Sequence, residues 1–304
     1  MKIKSLAGLS LVLFAAGLVN ARAQNLNGTV NNAFYGSPVA IQTINTGFGN
    51  AGDVDSGGGS ELDAAYGRVS GGNLYLFLAG NFENNGNHLN VFIAGGAAGQ
   101  NTLAAPATAS LATMNGSVFS SGFQATFAFD MNDSSGTLYN EEYNLTGTAS
   151  GGYVGSLANT STGIYAGSSG GISSLYLNNN HVSTMGTQNL ALSGATSGAN
   201  TTSGLELVIP LSAIGYTGGN IGVLTDINGS GEGYLSNQFL SGLPVGTGNL
   251  GGGGPFGTGG PTFNFGSTPG QYFTIPVTPT PEPTTLALVG LSGFATLVVA
   301  RRRK

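Results

Sequence analysis

The chain has 304 residues, a formal net charge of −5, no Cys, no Trp, 54 Gly and only 7% charged side chains. Lys2, Lys4, Arg22 and residues 301–304 hold all but one of its basic side chains, so Arg68 stands alone against twelve carboxylates between residues 24 and 280, a formal charge of −11. That balance excludes nucleic acid as a partner, because phosphate binding needs clustered Lys and Arg. The missing Cys excludes a disulfide framework, an iron–sulfur cluster and the usual structural zinc sites.

At the N-terminus, Lys2 and Lys4 precede an apolar stretch over 6–19, and Ala21 and Ala23 place small residues where a signal peptidase reads them. This pattern predicts a signal peptide over 1–23, cut before Gln24, and an exported domain over 24–277. That length is ample for one β domain with a buried core. Abundant Gly, Asn, Ser and Thr point to many short strands joined by tight turns, and the recurring apolar blocks argue against disorder.

Apolar runs at 73–79 and 89–94 flank a Gly- and Asn-rich stretch over 80–88, which predicts a β-hairpin. Ala125, Phe127 and Phe129 then alternate with Gln124, Thr126 and Ala128, the period of a half-buried strand. Further strands are expected at 152–157, 174–177, 205–210, 221–225 and 272–277. No stretch before Thr284 carries a sustained helical period, and 211–214 makes one short turn at most. Residues 246–260 contain Gly251, Gly252, Gly253 and Gly254 and read as a mobile loop inside the domain. The fold class is therefore all-β, an antiparallel β-sandwich of jelly-roll type.

Three acidic, Gly-rich loops are candidates for calcium. Asp130, Asn132, Ser134 and Glu141 fall at relative positions 1, 3, 5 and 12, as ligands do in an EF-hand loop, with Gly136 one place late. Asp226, Asn228 and Ser230 repeat the opening with Gly231 in place, but Asn237 stands at position 12. Asp53 and Asp55 form a shorter version. Each loop also reads as an ordinary turn, since Asp and Asn hydrogen-bond local backbone; no other cofactor is indicated. His88 and His181, the two histidines, each follow Asn-rich segments and read as solvated turn residues. Glu141 and Glu142 are adjacent and point to opposite faces of a strand, unlike the facing carboxylates of a glycosidase. Tyr66, Tyr75, Phe77 and Phe92 are possible sugar contacts by residue type but read as core.

At the C-terminus, Pro279, Pro281 and Pro283 make residues 278–283 a semi-rigid, extended spacer. The apolar run over 284–300 has a helical length of about 25 Å, just enough to cross a bilayer as a transmembrane helix. Arg301, Arg302, Arg303 and Lys304 follow as a basic cytoplasmic tail that stops transfer and leaves the preceding domain on the far side.

Pro281, Glu282 and Pro283, the apolar span and the basic end together resemble the PEP-CTERM sorting signal of Gram-negative bacteria, a tail also known as an ice-binding protein C-terminal motif. The resemblance implies processing near 281–283 by an exosortase, after signal peptidase has acted at the other end. It also implies anchoring in the inner membrane with the domain outside the cytoplasm, and then residence at the cell surface or in the extracellular matrix, where exopolysaccharide is a partner. Scattered Thr residues do not form the regular ladder of a flat ice-binding face. Within the domain, Glu61 and Asp63 before the strand containing Leu74 and Leu76, and Gly204, Glu206, Ile209, Pro210 and Leu211, resemble carbohydrate-binding module family 9 and DOMON-like β-sandwiches. Sugar sites in those modules rely on Trp, which this chain lacks. The expected function is that of a non-enzymatic exported surface or matrix protein. The alternatives are a carbohydrate-binding module on matrix exopolysaccharide and a secreted glycan hydrolase.

Overall fold

A computed structural model describes residues 24–44, 46–48, 59–160, 164–178, 201–251, 263–267 and 271–277. The signal peptide, the Asp53 and Asp55 loop, His181, most of the Gly-rich 246–260 stretch, the Pro-rich spacer, the apolar run and the basic tail lie outside these residues. Among the described residues no helix is long and apolar enough to cross a membrane.

Strands β1 (Ala40–Ile41), β2 (Glu61–Ser70), β3 (Asn73–Asn81), β10 (Gly204–Pro210), β9 (Ile172–Asn178) and β8 (Ile164–Ser169) lie side by side in that order as one sheet. The second sheet runs β12 (Leu235–Leu240), β11 (Ile221–Asn228), β4 (Asn85–Ala94), β5 (Phe127–Ser134), β6 (Thr137–Asn144) and β7 (Ser150–Ala158), with β13 (Tyr272–Ile275) also paired to β11. Ladder pairing is antiparallel in both sheets. Strands β12 and β13 share one edge of β11: Leu240 opposes Thr225 and Tyr272 opposes Leu224. Helix is confined to short pieces, α1 (Asn32–Tyr35) and 3-10 turns at Ser110–Met114 and Phe265–Ser267. The all-β sandwich is as the sequence predicts, and most expected strands fall inside observed ones; β1, β2, β6, β8 and β12 were not expected.

Residues 73–79 and 89–94 do not form a hairpin. Strand β3 pairs with β2 and β10, whereas β4 pairs with β5 and β11 in the other sheet. The chain therefore crosses between sheets at residues 82–84. Each strand is buried on both faces. Leu74, Leu76 and Leu78 meet Leu89, Val91 and Ile93 within the core between the sheets, while Phe77 and Phe92 serve separate clusters on the outer faces. Strand β3 finds its partners in β2 and β10 instead of β4. At the start of the crossover the backbones approach so closely that a Cβ on Gly80 would lie 2.2 Å from the Glu61 carbonyl oxygen.

Each sheet thus carries apolar cover outside as well as inside. Outside the six-stranded sheet, Ala64, Tyr66, Phe77 and Ala79 pack with Tyr35 of α1. Outside the seven-stranded sheet, Phe92, Ala128, Tyr143 and Leu224 lie beneath Leu111, Met114, Phe119, Phe123 and Phe265 from the long β4–β5 connection and the segment before β13. The strand at 124–129 is consequently not half-buried: Thr126, Phe127, Ala128 and Phe129 are all inaccessible.

Leu207, fully buried on β10 in the central core, tests this arrangement. Leu207→Ala is expected to lower unfolding free energy by roughly 2–5 kcal/mol. The same change at exposed Leu250 should stay within about 0.5 kcal/mol. Urea denaturation midpoints measure both.

Candidate functional site

Strand register gathers the polar residues of four strands into one block. Asp226 of β11 opposes Asn90 of β4, Asn90 opposes Asp130 of β5, and Asp130 opposes Glu141 of β6. One step along, Asn228 opposes His88, His88 opposes Asn132, and Asn132 opposes Tyr139. Directly opposed residues project from the same face, as do residues two apart on one strand. The two rows therefore continue the outer face whose other end is the apolar row Leu224, Phe92, Ala128 and Tyr143. Half of that face is greasy and half is ionisable.

At the centre, His88 Nδ1 lies 2.8 Å from Asp130 Oδ1 and 3.2 Å from Glu232 Oε1. Glu232 comes from the β11–β12 turn, where its backbone holds φ of 57°, a left-handed conformation unfavourable for a side chain of this size. A backbone bond of 2.9 Å from its N–H to the Gly229 carbonyl helps keep it there. Asn90 Nδ2 donates to Asp226 Oδ1 at 3.2 Å and Glu232 Oε2 at 2.9 Å, so one amide joins the two carboxylates. Met114 closes the block from the 3-10 turn, its Sδ 3.4 Å from Asn228 Nδ2. At the outer margin, Glu141 Oε2 accepts from the Ser110 N–H at 3.1 Å and from the Tyr143 hydroxyl. Asn132 Nδ2 stands 3.3 Å from His88 Nε2.

The group is sealed: His88 is 5% exposed, Asp130 1%, and Asp226 and Glu232 are fully buried. Burial pulls the His88 imidazole down, but the carboxylates of Asp130 and Glu232 more than reverse this and hold it at about 9. Burial pushes Asp226 up to about 7 against the lowering effect of the Asn90 bond. Burial also raises Glu232 well above the ordinary carboxylate range, with His88 opposing. The buried imidazole is the group around which three acidic side chains are organised. Ligand atoms of His88, Asp130 and Glu232 all lie within 4.8 Å of one another, as metal ligands can.

The two described calcium candidates are not loops of the expected kind. Asp130, Asn132 and Ser134 belong to β5, and Glu141 returns on β6 after a two-residue turn, Ser135 and Gly136, whose φ values of 54° and 79° make a tight hairpin. Asp226 and Asn228 belong to β11, Ser230 is exposed in the following turn, and Asn237 sits on β12 accepting from the Gly47 N–H at 3.0 Å. Strand geometry sends alternate side chains to one face instead of wrapping them around a point. The fold nevertheless brings Asp130 and Asp226 from the two stretches to the same block. His88 is not a solvated turn residue but the buried centre of that block. Sequence reasoning missed Asn90 and Glu232; the signal was a repeated pattern, His88-Leu89-Asn90, Asp130-Met131-Asn132 and Asp226-Ile227-Asn228, in which polar pairs two apart interrupt apolar strands. Glu141 and Glu142 do diverge, the latter accepting from the Gly171 N–H at 2.6 Å.

Aromatic exposure also differs from expectation by position. Tyr66, Phe77 and Phe92 are core, and Tyr75 is half-buried. Among the described residues the accessible rings are Tyr139 at 43%, Tyr153 at 61% and Tyr234, on the β11–β12 turn, at 43%. Tyr139 is two residues from Glu141, and Tyr153 opposes Glu141 across the β6–β7 pair, so both flank it on the outer face.

A second acidic pair lies on β2, where Asp63 Oδ2 accepts from Thr201 Oγ1 at 2.7 Å and Glu61 Oε2 has no hydrogen-bond partner. Burial raises both carboxyls, and Asp63 adds to the shift on Glu61. Such groups keep protons in the folded chain that the unfolded chain loses above about pH 4. Stability from this pair is therefore greatest below that pH and declines as pH rises toward and past neutrality, by at most about 1.4 kcal/mol per pH unit for each retained proton. Melting temperature is expected to fall between pH 5 and pH 8, and to fall less steeply in Asp63→Asn.

Residues 279–304 match the family model of the PEP-CTERM protein-sorting motif. The motif marks the chain as an exported, membrane-anchored protein processed by an exosortase. Comparison with curated proteins and with solved structures gives no match, so the likeness of the domain to carbohydrate-binding module family 9 and DOMON-like sandwiches stays a sequence resemblance.

Proposed function

We propose that this exosortase substrate is a non-enzymatic protein of the cell surface or extracellular matrix, tethered in the inner membrane with residues 24–277 outside the cytoplasm until its tail is processed. The sorting motif at residues 279–304 carries this reading. Two features of the domain support it. The His88 imidazole and the carboxylates of Asp130, Asp226 and Glu232 are closed off from substrate by the sheet on one side and Met114 on the other. An open groove of roughly 510 Å³ beside the apolar cover of the same sheet is lined by Asn101, Phe119, Gln124, Asn264 and neighbours with no acid or base among them. General acid–base chemistry needs an ionisable group within reach of the substrate.

Mass spectrometry of the protein from its host reads both ends at once. The expected product begins at Gln24 and ends near Pro281 to Pro283, and replacing Pro281, Glu282 and Pro283 with Ala should leave residues 284–304 attached. An intact, uncut chain in the cytosol overturns the proposal.

A second reading, binding of matrix exopolysaccharide, draws on Tyr139 and Tyr153. Exposed rings beside a carboxylate, Glu141, offer stacking and hydrogen bonds to a sugar, and aromatic contacts of this kind contribute about 0.5–1.5 kcal/mol each. Retention of the wild-type protein on host exopolysaccharide, reduced about 10-fold in the Tyr139→Ala, Tyr153→Ala double variant, is the expected outcome. Equal retention of both proteins removes this reading.

A further inference from the structure

We infer that His88 Nδ1, Asp130 Oδ1 and Glu232 Oε1 form the protein face of a structural site for a divalent first-row transition ion, with zinc the representative probe. The inference goes beyond the sorting and surface roles and rests on geometry. Ligands about 2.0–2.2 Å from such an ion, at the angles of tetrahedral or octahedral coordination, are about 3.0–3.4 Å apart. His88 Nδ1 is 2.8 Å and 3.2 Å from the two carboxylate oxygens. These two separations are within a few tenths of an ångström of the coordinated values, and the two carboxylate oxygens lie within 4.8 Å of each other.

Unused oxygens are the second, independent observation. Glu232 Oε1 and Asp226 Oδ2 are fully buried and accept no hydrogen bond. Buried acceptors without partners are costly. Asp226 is held to the same group through the Asn90 amide, which fixes the other oxygen of both Asp226 and Glu232. That leaves Asp226 Oδ2 as a free acceptor for a cation, while Glu232 Oε1 faces His88 Nδ1 at 3.2 Å, where the ion would enter.

The donor set selects the class of ion. Calcium takes six to eight oxygens at 2.3–2.6 Å, whereas an imidazole nitrogen with few carboxylate oxygens suits zinc and its neighbours. Binding replaces protons: the ion takes the Nδ1 lone pair and an oxygen of each of the two carboxylates, the protons displaced from Nδ1 and from the Glu232 carboxyl leave to solvent, and the two carboxylates balance the 2+ charge. The imidazole then carries hydrogen only on Nε2. Asn132 stands there with Oδ1 unpartnered, and a half-turn of its amide presents that oxygen as the acceptor. Such a partner to the distal nitrogen fixes a ligating imidazole. The ion would tie β4, β5 and the β11–β12 turn together, including the unfavourable backbone of Glu232, in a domain that has no disulfides.

The test uses the full-length protein in detergent, stripped with chelator and titrated separately with Zn²⁺ and Ca²⁺. One bound Zn²⁺ per chain and a rise in melting temperature are expected. His88→Gln should weaken zinc affinity about 100-fold or more, while Ser230→Ala, at the exposed turn, should leave it unchanged. X-ray absorption at the zinc edge of the unmodified protein needs no variant to fold: an oxygen and nitrogen shell with imidazole scattering supports the site. No bound zinc, a shell without imidazole, or a melting response to Ca²⁺ alone overturns it.

Discussion

Burying carboxylates with almost no cations available is the constraint around which this domain is built. Between residues 24 and 280 the sequence supplies one Arg, and that Arg68 is occupied at the surface, donating to the Phe34 carbonyl at 2.7 Å and lying over the Phe34 ring. An unpaired buried charge is far more costly than a buried amide. The interior answers with neutral donors. Glu206 accepts from the Tyr35 hydroxyl and the Gln24 amide, Glu142 from two backbone N–H groups, Asp133 from the Tyr165 hydroxyl, and Asp63 from Thr201. Among the described residues, His88 is the buried side chain that can carry positive charge to the problem, and there the carboxylates are densest.

The same constraint explains where the polar block sits. A sandwich whose sheets are both covered on their outer faces has no open cleft at its centre, so the acidic residues lie beneath loops rather than in a mouth. The long connection between β4 and β5 serves two ends of one face. Phe119 and Phe123 extend the apolar cover, while Met114 and the Ser110 N–H close over Asn90, Asn228 and Glu141. Cover and polar satisfaction come from one excursion of the chain.

Address and body have separate physical logic. Export and anchoring follow from composition within a short terminal stretch, where prolines, an apolar run and a basic end act through the membrane and its processing enzyme. The body contributes an acidic, cysteine-free sandwich on whose surface Tyr139 and Tyr153 flank Glu141 as accessible rings.

The sequence by itself determined what depends on neighbours along the chain: the sorting tail, the all-β class from strand periods and turn residues, the divergence of Glu141 and Glu142, and the core character of Phe77 and Phe92. Tertiary structure alone decided what depends on which strand lies beside which. Residues 73–79 and 89–94 carry apolar residues on both faces, and that pattern is the same whether two strands pair in one sheet or oppose across a core. His88, Asp130 and Glu232 are far apart in sequence, and only the antiparallel register of β11, β4 and β5 places their charges within reach of one another. Electrostatic interaction falls with distance in space, not along the chain, so the identity of the site waited on the fold.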